Sequence, residues 1–116
     1  MLVKVLRAKI HWARVTDKDL NYEGSIVISR DLLDAVGILP YESVLITNVE
    51  TGGRFETYVI PTEEKGVVQL NGGTARLVEV GDRLIIMAFG WYNLEEASSV
   101  KPKVIILNER NEIIQP

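Results

Sequence analysis

The stretch that decides the fold reads Ser43-Val44-Leu45-Ile46-Thr47-Asn48-Val49, then Glu50-Thr51-Gly52-Gly53, then Arg54-Phe55-Glu56-Thr57-Tyr58-Val59-Ile60. β-Branched and aromatic residues fill both flanks, and the Gly-Gly pair between them permits a tight turn. Such a pattern is typical of two antiparallel strands joined by a short loop. We therefore predict a β-hairpin over residues 43–60.

Short apolar segments bounded by Gly, Asn, Asp or Pro recur on both sides of this hairpin. The pattern predicts strands at residues 3–10, 12–15, 25–28, 67–70, 83–89 and 104–107. Residues 17–19 are predicted to form a turn, and the polar residues after the last strand a tail. Many short strands with few helices favour a closed or nearly closed β-barrel, since closure removes exposed sheet edges.

Helical signals are few and short. Residues 30–36 are predicted to form a helix that Ser29 caps and Gly37 ends. The residues expected on its buried face are Leu32, Leu33 and Val36. A second, brief helix is predicted over residues 91–97.

Composition is that of an ordinary globular domain. The 116 residues are 47% hydrophobic and 25% charged, which fits one domain spanning residues 1–116. A net charge of −3 argues against binding nucleic acid, which needs a basic surface. One histidine and no cysteine argue against a zinc site. A magnesium site made only of carboxylates stays open, although no acidic cluster points to one. No apolar run is long enough to span a bilayer. A cytoplasmic enzyme or binding module fits these limits.

The dipeptide Gly24-Ser25 is a candidate site of self-cleavage. A serine hydroxyl can attack the carbonyl carbon before it and convert the amide into an ester. Glycine suits the preceding position because it has no Cβ and tolerates a strained turn. Elimination from the ester would leave a pyruvoyl ketone at Ser25, an electrophile that no ordinary side chain supplies. An ordinary turn is the alternative for an isolated Gly-Ser pair.

Two groups of polar residues are candidates for a pocket. Lys9 and His11 share one face of the first strand, which either lines a pocket or lies at a solvent-facing edge. In the hairpin, Arg54 can clamp a carboxylate, Thr57 can donate to an oxyanion, and Tyr58 can act as a general acid. Strand propensity by itself also accounts for Thr57 and Tyr58.

The stretch Asn71-Gly72-Gly73-Thr74 offers successive backbone N–H groups in a turn, which can hold an anion. It is predicted to open a helical turn. The spacing of a phosphate-binding loop is absent from it. A plain turn is the alternative.

These stretches occur together in one order, and the chain resembles the pyruvoyl-dependent aspartate decarboxylase family over nearly its whole length. The matching stretches are Lys9-Ile10-His11, Tyr22-Glu23-Gly24-Ser25, Gly37-Ile38-Leu39, Arg54-Phe55-Glu56-Thr57-Tyr58, Asn71-Gly72-Gly73 and Val80-Gly81-Asp82. The resemblance implies a double-psi β-barrel with one or two short helices, assembled as a homotetramer with active sites between neighbouring subunits. It also implies self-cleavage between Gly24 and Ser25, giving residues 1–24 and residues 25–116.

The resemblance further assigns roles to particular residues. Ser25 becomes a covalent pyruvoyl group, which accepts the electrons released when L-aspartate loses CO₂ and yields β-alanine for pantothenate synthesis. Tyr58 is the proton donor, and Thr57 assists processing and lines the site. The other implied residues are the carboxylate-binding pair Lys9 and Arg54, the substrate loop Gly72, Gly73 and Thr74, and the nearby His11, Tyr22 and Asn71. No metal is implied.

The sequence departs from the family at Thr47, where some members carry Trp, so that wall of the pocket is expected to differ. Two alternatives stay open: a non-catalytic small β-barrel that binds a partner, and a pyruvoyl decarboxylase for another amino acid. Paired cations at Lys9 and Arg54 favour a dicarboxylate substrate. The sequence does not decide which of these two cations binds which carboxylate of the substrate.

Overall fold

The fold is that of a computed structural model, which describes residues 1–115. Among these residues the strands are β1 Leu2–Arg14, β2 Asp17–Asp19, β3 Ser25–Ser29, β4 Ser43–Asn48, β5 Arg54–Thr62, β6 Val68–Asn71, β7 Arg83–Asn93, β8 Lys103–Leu107 and β9 Ile113–Gln115. The helices are α1 Arg30–Val36, α2 Leu94–Ala97 and a 3₁₀ helix, Gly72–Leu77. None of the helices in this part of the chain is long and apolar enough to cross a membrane.

Hydrogen bonds join the strands into one sheet in the order β2-β6-β3-β5-β4-β7-β1-β8-β9. β1 and β2 lie far apart in that order, yet only Val15 and Thr16 separate them along the chain. At this bend the Thr16 amide donates to the Val68 carbonyl oxygen at 2.8 Å, and the Val68 amide donates to Thr16 Oγ1 at 3.0 Å. These bonds tie the end of β1 to β6 and close the sheet. The predicted mainly β fold and small β-barrel are confirmed.

Aliphatic side chains fill the barrel, following the alternation of the strands. Ile10, Ile86 and Ile46 lie in register on neighbouring strands, and each is fully buried. Residues on either side of them, including Lys9 and His11, therefore point to the outer face of the barrel and are only half-buried. This outer face carries much of the candidate site.

The hairpin predicted over residues 43–60 is confirmed. β4 and β5 pair antiparallel in an unbroken register. Helix α1 also has the predicted bounds and buried face, and ends at Gly37 in a left-handed conformation. Ser29 occupies the predicted N-cap position of this helix, but its side chain forms no capping hydrogen bond. Ser29 is the last residue of β3, and its hydroxyl is buried with no hydrogen-bond partner among residues 1–115.

Three other local predictions differ from the structure. Residues 17–19 form β2 rather than a turn, because they pair in parallel with β6, a contact distant in sequence. β7 continues to Asn93, so α2 begins only at Leu94, where the Asn93 side chain caps it. The predicted tail contains β9, which pairs with β8. Each difference arises from a strand pairing that extends or creates an element.

Candidate active site

Ser25 begins β3 and is fully buried. Its side chain lies on the opposite face of the strand from the core residue Ile26. Oγ donates a hydrogen bond to the Glu23 carbonyl oxygen at 3.3 Å and accepts one from Asn71 Nδ2 at 3.2 Å. These two hydrogen bonds therefore fix the position of the Ser25 hydroxyl. Ser25 is the residue that follows the Gly24 carbonyl carbon in the chain.

Asn71 ends β6, pairs with Ser25 across the sheet and is fully buried. Its Oδ1 accepts a hydrogen bond from Gln69 Nε2 at 2.9 Å, which leaves Nδ2 directed at Ser25. Its carbonyl oxygen accepts from Thr74 Oγ1 at 2.8 Å, within the first turn of the 3₁₀ helix. The predicted helical turn is confirmed, and hydrogen bonds connect it to Ser25 through Asn71.

Gly72 lies against the backbone of Gly24 in a left-handed conformation, with φ of 70°. A Cβ added to Gly72 would stand 2.7 Å from Gly24 Cα and 2.8 Å from Gly24 N, so only glycine fits. At Gly24 φ is not left-handed, and an added Cβ would meet its nearest atom, the Asn71 carbonyl oxygen, at 3.9 Å. The expected strained glycine is therefore Gly72, not Gly24. We call Gly24, Ser25, Asn71 and Gly72 the serine cluster.

Tyr58 lies beside Ser25 on the neighbouring strand. β3 and β5 pair in parallel with Ile26 opposite Val59, and both of these residues are fully buried in the core. Ser25 and Tyr58 each precede this pair, so both side chains point to the outer face. The ring of Tyr58 is half-buried and stacks on Tyr41 at a centroid distance of 6.4 Å. The Tyr58 phenol and the Ser25 hydroxyl thus extend from equivalent positions on two neighbouring strands.

Other predicted residues surround the serine cluster less directly. Thr57 is half-buried on the inward face of β5, opposite to Tyr58. The side chain of Tyr22 is exposed, while its carbonyl oxygen lies 3.1 Å from the Cβ position on Gly72. Gly73 is exposed, and an added Cβ there would meet nothing within 4 Å. These three residues are neighbours of the cluster rather than parts of its hydrogen-bond network.

The predicted cations lie elsewhere on the outer face. His11, Ile85, Thr47 and Arg54 stand in register across β1, β7, β4 and β5. Neighbouring strands are about 4.8 Å apart, so this row spans roughly 14 Å. Within residues 1–115, neither Lys9 nor Arg54 forms an ion pair. We call Lys9, His11, Thr47 and Arg54 the cationic face.

Strand geometry keeps the cationic face away from the serine cluster in a single chain. Arg54 stands four residues before Tyr58 on β5, about 13 Å along the strand. Lys9 is on β1, and β7 and β4 separate it from β5 in the sheet order. One chain therefore assembles Ser25 with Asn71 and Gly72, with Tyr58 beside them, and leaves both predicted carboxylate-binding cations at a distance.

His11 has a perturbed environment. Its ring stacks on Trp12 at a centroid distance of 4.8 Å, and Trp12 adopts φ of 67° at a bulge in β1. Burial, and then the positive charges of Lys9 and Arg83, lower the pKa of His11 from its ordinary value. The imidazole is therefore mostly neutral at pH 7 and can act there as donor and acceptor.

Two contacts of the site were not predicted from the sequence. Gln69, which orients Asn71, alternates with the buried Val68 and Leu70, so strand alternation places its side chain on the same face as that of Asn71. That alternation is a signal that could have found Gln69. Tyr41, which stacks on Tyr58, lies in a loop with φ of 65°, and no local pattern predicts this contact.

Comparison with known proteins tests the resemblance of the whole chain. A family model described as aspartate decarboxylase matches residues 1–114. The chain belongs to the aspartate decarboxylase family. The match covers β1 to β8 and all but the last residue of β9. It includes both the serine cluster and the cationic face, so the resemblance predicted from the motifs is confirmed.

Relatives named aspartate 1-decarboxylase are similar over nearly their full length. The one from Campylobacter jejuni subsp. doylei is 54% identical over 111 residues, which cover 96% of this chain and 88% of that relative. The one from Thermosipho africanus is 56% identical over 113 residues, 96% of this chain and 92% of the relative. The one from Phenylobacterium zucineum is 51% identical over 115 residues, 97% of each. The family match is therefore not confined to a fragment.

Proposed function

We propose that this chain cuts itself between Gly24 and Ser25 and then decarboxylates L-aspartate to β-alanine and CO₂. The observation that carries the proposal is the buried Ser25 hydroxyl, held by Asn71 and backed by the contact of Gly72 with Gly24. The names of its relatives support the choice of aspartate as substrate. The β-alanine would serve pantothenate synthesis in the cytoplasm.

The self-cleavage needs only atoms of the chain and one water molecule. Ser25 Oγ attacks the Gly24 carbonyl carbon, the C–N bond of that peptide breaks, and the Oγ proton passes to the nitrogen. Loss of the Ser25 Cα proton then breaks the Cβ–Oγ bond and releases residues 1–24 with a carboxylate at Gly24. Water displaces the nitrogen as ammonia and leaves a ketone at the start of residues 25–116.

The residues around Ser25 fit a pyruvoyl group formed there. The position is fully buried, which shields a ketone from bulk water, and Asn71 Nδ2 supplies a donor 3.2 Å from Oγ. Gly72 leaves room for the Gly24 backbone, where any side chain would collide with it. A pyruvoyl ketone supplies an electrophile for the amine of aspartate and withdraws electrons from the carbon that loses CO₂.

The chain supplies the other groups that the reaction needs. Aspartate has two carboxylates, and Arg54 and Lys9 are the cations proposed to bind them, since one must hold the carboxylate that stays. The Arg54 guanidinium can do so through two parallel hydrogen bonds. Tyr58 donates the proton to the carbon that has lost CO₂. The ring of Tyr41 stacks on that of Tyr58.

The assembly proposed is a homotetramer in which the cationic face of one subunit completes the serine cluster of its neighbour. The reason is distance. In one chain the backbone positions of Arg54 and Tyr58 lie about 13 Å apart along β5, and Lys9 lies on β1, from which β7 and β4 separate β5. A second copy can bring its own Arg54 to the Ser25 of the first.

The outer face around the cations supports such an interface. Ile85, Met87, Phe89 and Trp91 alternate with core residues along β7, so all four point outward, and Trp91 is 66% exposed. On the same face, Thr47 Oγ1 is buried with no hydrogen-bond partner in the described chain. Ile85, Met87 and Phe89 are half-buried, and a row of apolar side chains that water still reaches is typical of surfaces that bind another protein.

Intact mass under denaturing conditions tests the cleavage. The wild-type chain should give two species that divide after Gly24, and Ser25→Ala should stay whole and inactive. A Tyr58→Phe variant should cut normally and lose decarboxylation about 100-fold or more, the usual contribution of a general acid. A wild-type chain that stays at full-length mass after prolonged incubation would exclude the proposal. A substrate panel then separates aspartate from other amino acids.

Mixed subunits test the shared site. Ser25→Ala and Arg54→Ala variants, each inactive alone, should recover activity when co-expressed, because a hybrid site joins an intact Ser25 to a neighbour's Arg54. The matched control is Ser25→Ala with Tyr58→Phe, which should recover none, since Ser25 and Tyr58 are neighbours within one chain. Light scattering should give a mass near four times the 13.0 kDa of the chain. No recovery in the first pair, or a monomer, contradicts the assembly.

A further inference from the structure

We propose that Gln69 is a positioning residue for self-cleavage, because its side-chain amide orients the Asn71 amide toward Ser25. The inference rests on the proposed self-cleavage and names a residue that the family motifs leave out. Gln69 Nε2 donates to Asn71 Oδ1 at 2.9 Å, and Asn71 Nδ2 donates to Ser25 Oγ at 3.2 Å. The Ser25 hydroxyl in turn donates to the Glu23 carbonyl oxygen at 3.3 Å.

The placement of Gln69 follows from the strand. Gln69 and Asn71 are two residues apart on β6, so both side chains lie on one face, while Val68 and Leu70 face the core and are fully buried. Val27 on β3 and Asp17 on β2 are its partners in register. Asp17 is thus the charged side chain in register with Gln69.

Orientation matters because an amide has a donor end and an acceptor end. Asn71 is fully buried, so water does not replace a partner that it loses. With Nδ2 toward Ser25, Oγ has a donor while it loses its proton in the attack, and again when the Cβ–Oγ bond breaks and Oγ becomes a carboxylate oxygen. With the amide turned over, Oδ1 would face Oγ at both steps.

A carboxylate in place of Gln69 reverses the network. Gln69→Glu can only accept a hydrogen bond when ionised, so Asn71 Nδ2 should turn toward it and Oδ1 toward Ser25. Protonation restores a donor and with it the original orientation. The ordinary pKa of glutamate is about 4.3. Position 69 is half-buried and stands in register with the acidic Asp17, and burial and a nearby negative charge both raise the pKa of a carboxyl group. Recovery is therefore expected as the pH falls from 8 toward 5.

The experiment follows cleavage of purified precursor by intact mass, with each variant rate divided by the wild-type rate at the same pH. Gln69→Met, which has no hydrogen-bonding amide, should cut about three- to tenfold more slowly at every pH, the effect of one lost hydrogen bond. Gln69→Glu should be at least as slow at pH 8 and approach the wild-type rate at pH 5. Asp17→Asn is the matched control and should cut at the wild-type rate.

The outcomes separate this inference from the proposed function. A wild-type chain that never cuts defeats the self-cleavage itself, whatever Gln69 does. If the wild-type chain cuts and both Gln69 variants match it at every pH, Gln69 has no positioning role. A Gln69→Glu rate that stays low at pH 5, together with a lowered thermal midpoint, indicates a structural role only and also overturns the proposal. Should that variant misfold, the rate of Gln69→Met decides alone.

Discussion

Two Gly-Gly pairs occur in this barrel, each shortly after a buried asparagine at the end of a strand. Gly52, in the β4–β5 turn, and Gly72, after β6, both adopt left-handed φ values, 77° and 70°. A Cβ added to Gly52 would meet nothing within 4 Å, whereas one added to Gly72 would stand 2.7 Å from Gly24 Cα. The same dipeptide makes a turn in one place and permits a close backbone contact in the other.

The two asparagines differ in the same way. Asn48 Nδ2 donates to the Leu77 carbonyl oxygen at 3.1 Å and to Asp82 Oδ2 at 2.9 Å, and its Oδ1 accepts from the Glu50 amide at 3.0 Å. The hydrogen bonds of Asn48 therefore stabilise the fold. The Asn71 side chain instead reaches Ser25. A local pattern thus predicts conformation, while its role depends on what the fold brings against it.

The largest effect expected from this comparison is that of Gly72→Ala. Left-handed strain and overlap with Gly24 together should lower the free energy of unfolding by roughly 2–5 kcal/mol. Any folded protein should remain uncut, because the Gly24 backbone must shift. Urea unfolding and intact mass measure the two effects. Wild-type stability together with wild-type cleavage would show that the close approach is not needed.

Asn48→Ala and Asn71→Ala should separate stability from cleavage. Asn48→Ala loses three hydrogen bonds of about 1 kcal/mol each, so the free energy of unfolding should fall by roughly 2–3 kcal/mol while folded protein cuts at the normal rate. Asn71→Ala should slow cleavage more than its loss of stability explains. Cleavage rates of folded protein, set against urea midpoints, test this. Equal slowing by both substitutions would erase the distinction between the asparagines.

Gly52→Ala should have a smaller effect, confined to stability. The left-handed backbone costs an alanine about 1–2 kcal/mol, and no neighbour obstructs its methyl group. We expect a lower thermal midpoint and an unchanged rate of cleavage. Slower cleavage in this variant would mean that the hairpin turn also shapes the serine cluster.

Gly73→Ala should have the smallest effect. Gly73 has no left-handed φ and open space around it, so the free energy of unfolding should change by no more than about 0.5 kcal/mol. Cleavage should proceed at the wild-type rate. A loss of stability comparable with that of Gly72→Ala would remove the distinction between neighbouring glycines of one turn.

Much of the fold was predictable because its signals are local. The β4–β5 hairpin and α1 carry their turn and termination residues within the segment itself. β2 and β9 were not predictable in this way. Residues 17–19 become a strand only because β6 lies beside them, and β9 only because β8 does. Strands of only three residues are too short to show a periodicity, so pairing alone defines them.

The residues of the candidate site also fall into two groups, those that the sequence indicated and those that it did not. Ser25, Tyr58 and Asn71 could be picked out by residue type and by motif order. The sequence did not indicate that the strained glycine is Gly72 rather than Gly24, because this depends on two loops that approach each other. The same holds for Gln69 and Tyr41, whose importance lies in the side chains they contact.

By itself the sequence determined the alternation that builds the barrel, the turn at Gly52, the candidate hydroxyl at Ser25 and membership of the family. Those features depend on backbone preference and residue chemistry, which each segment carries alone. Only the tertiary structure decided that Ser25 is buried, that Asn71 points at it, and that the cationic face lies on other strands. Burial, hydrogen-bond direction and distance are relations between segments, and they exist only once the barrel has closed.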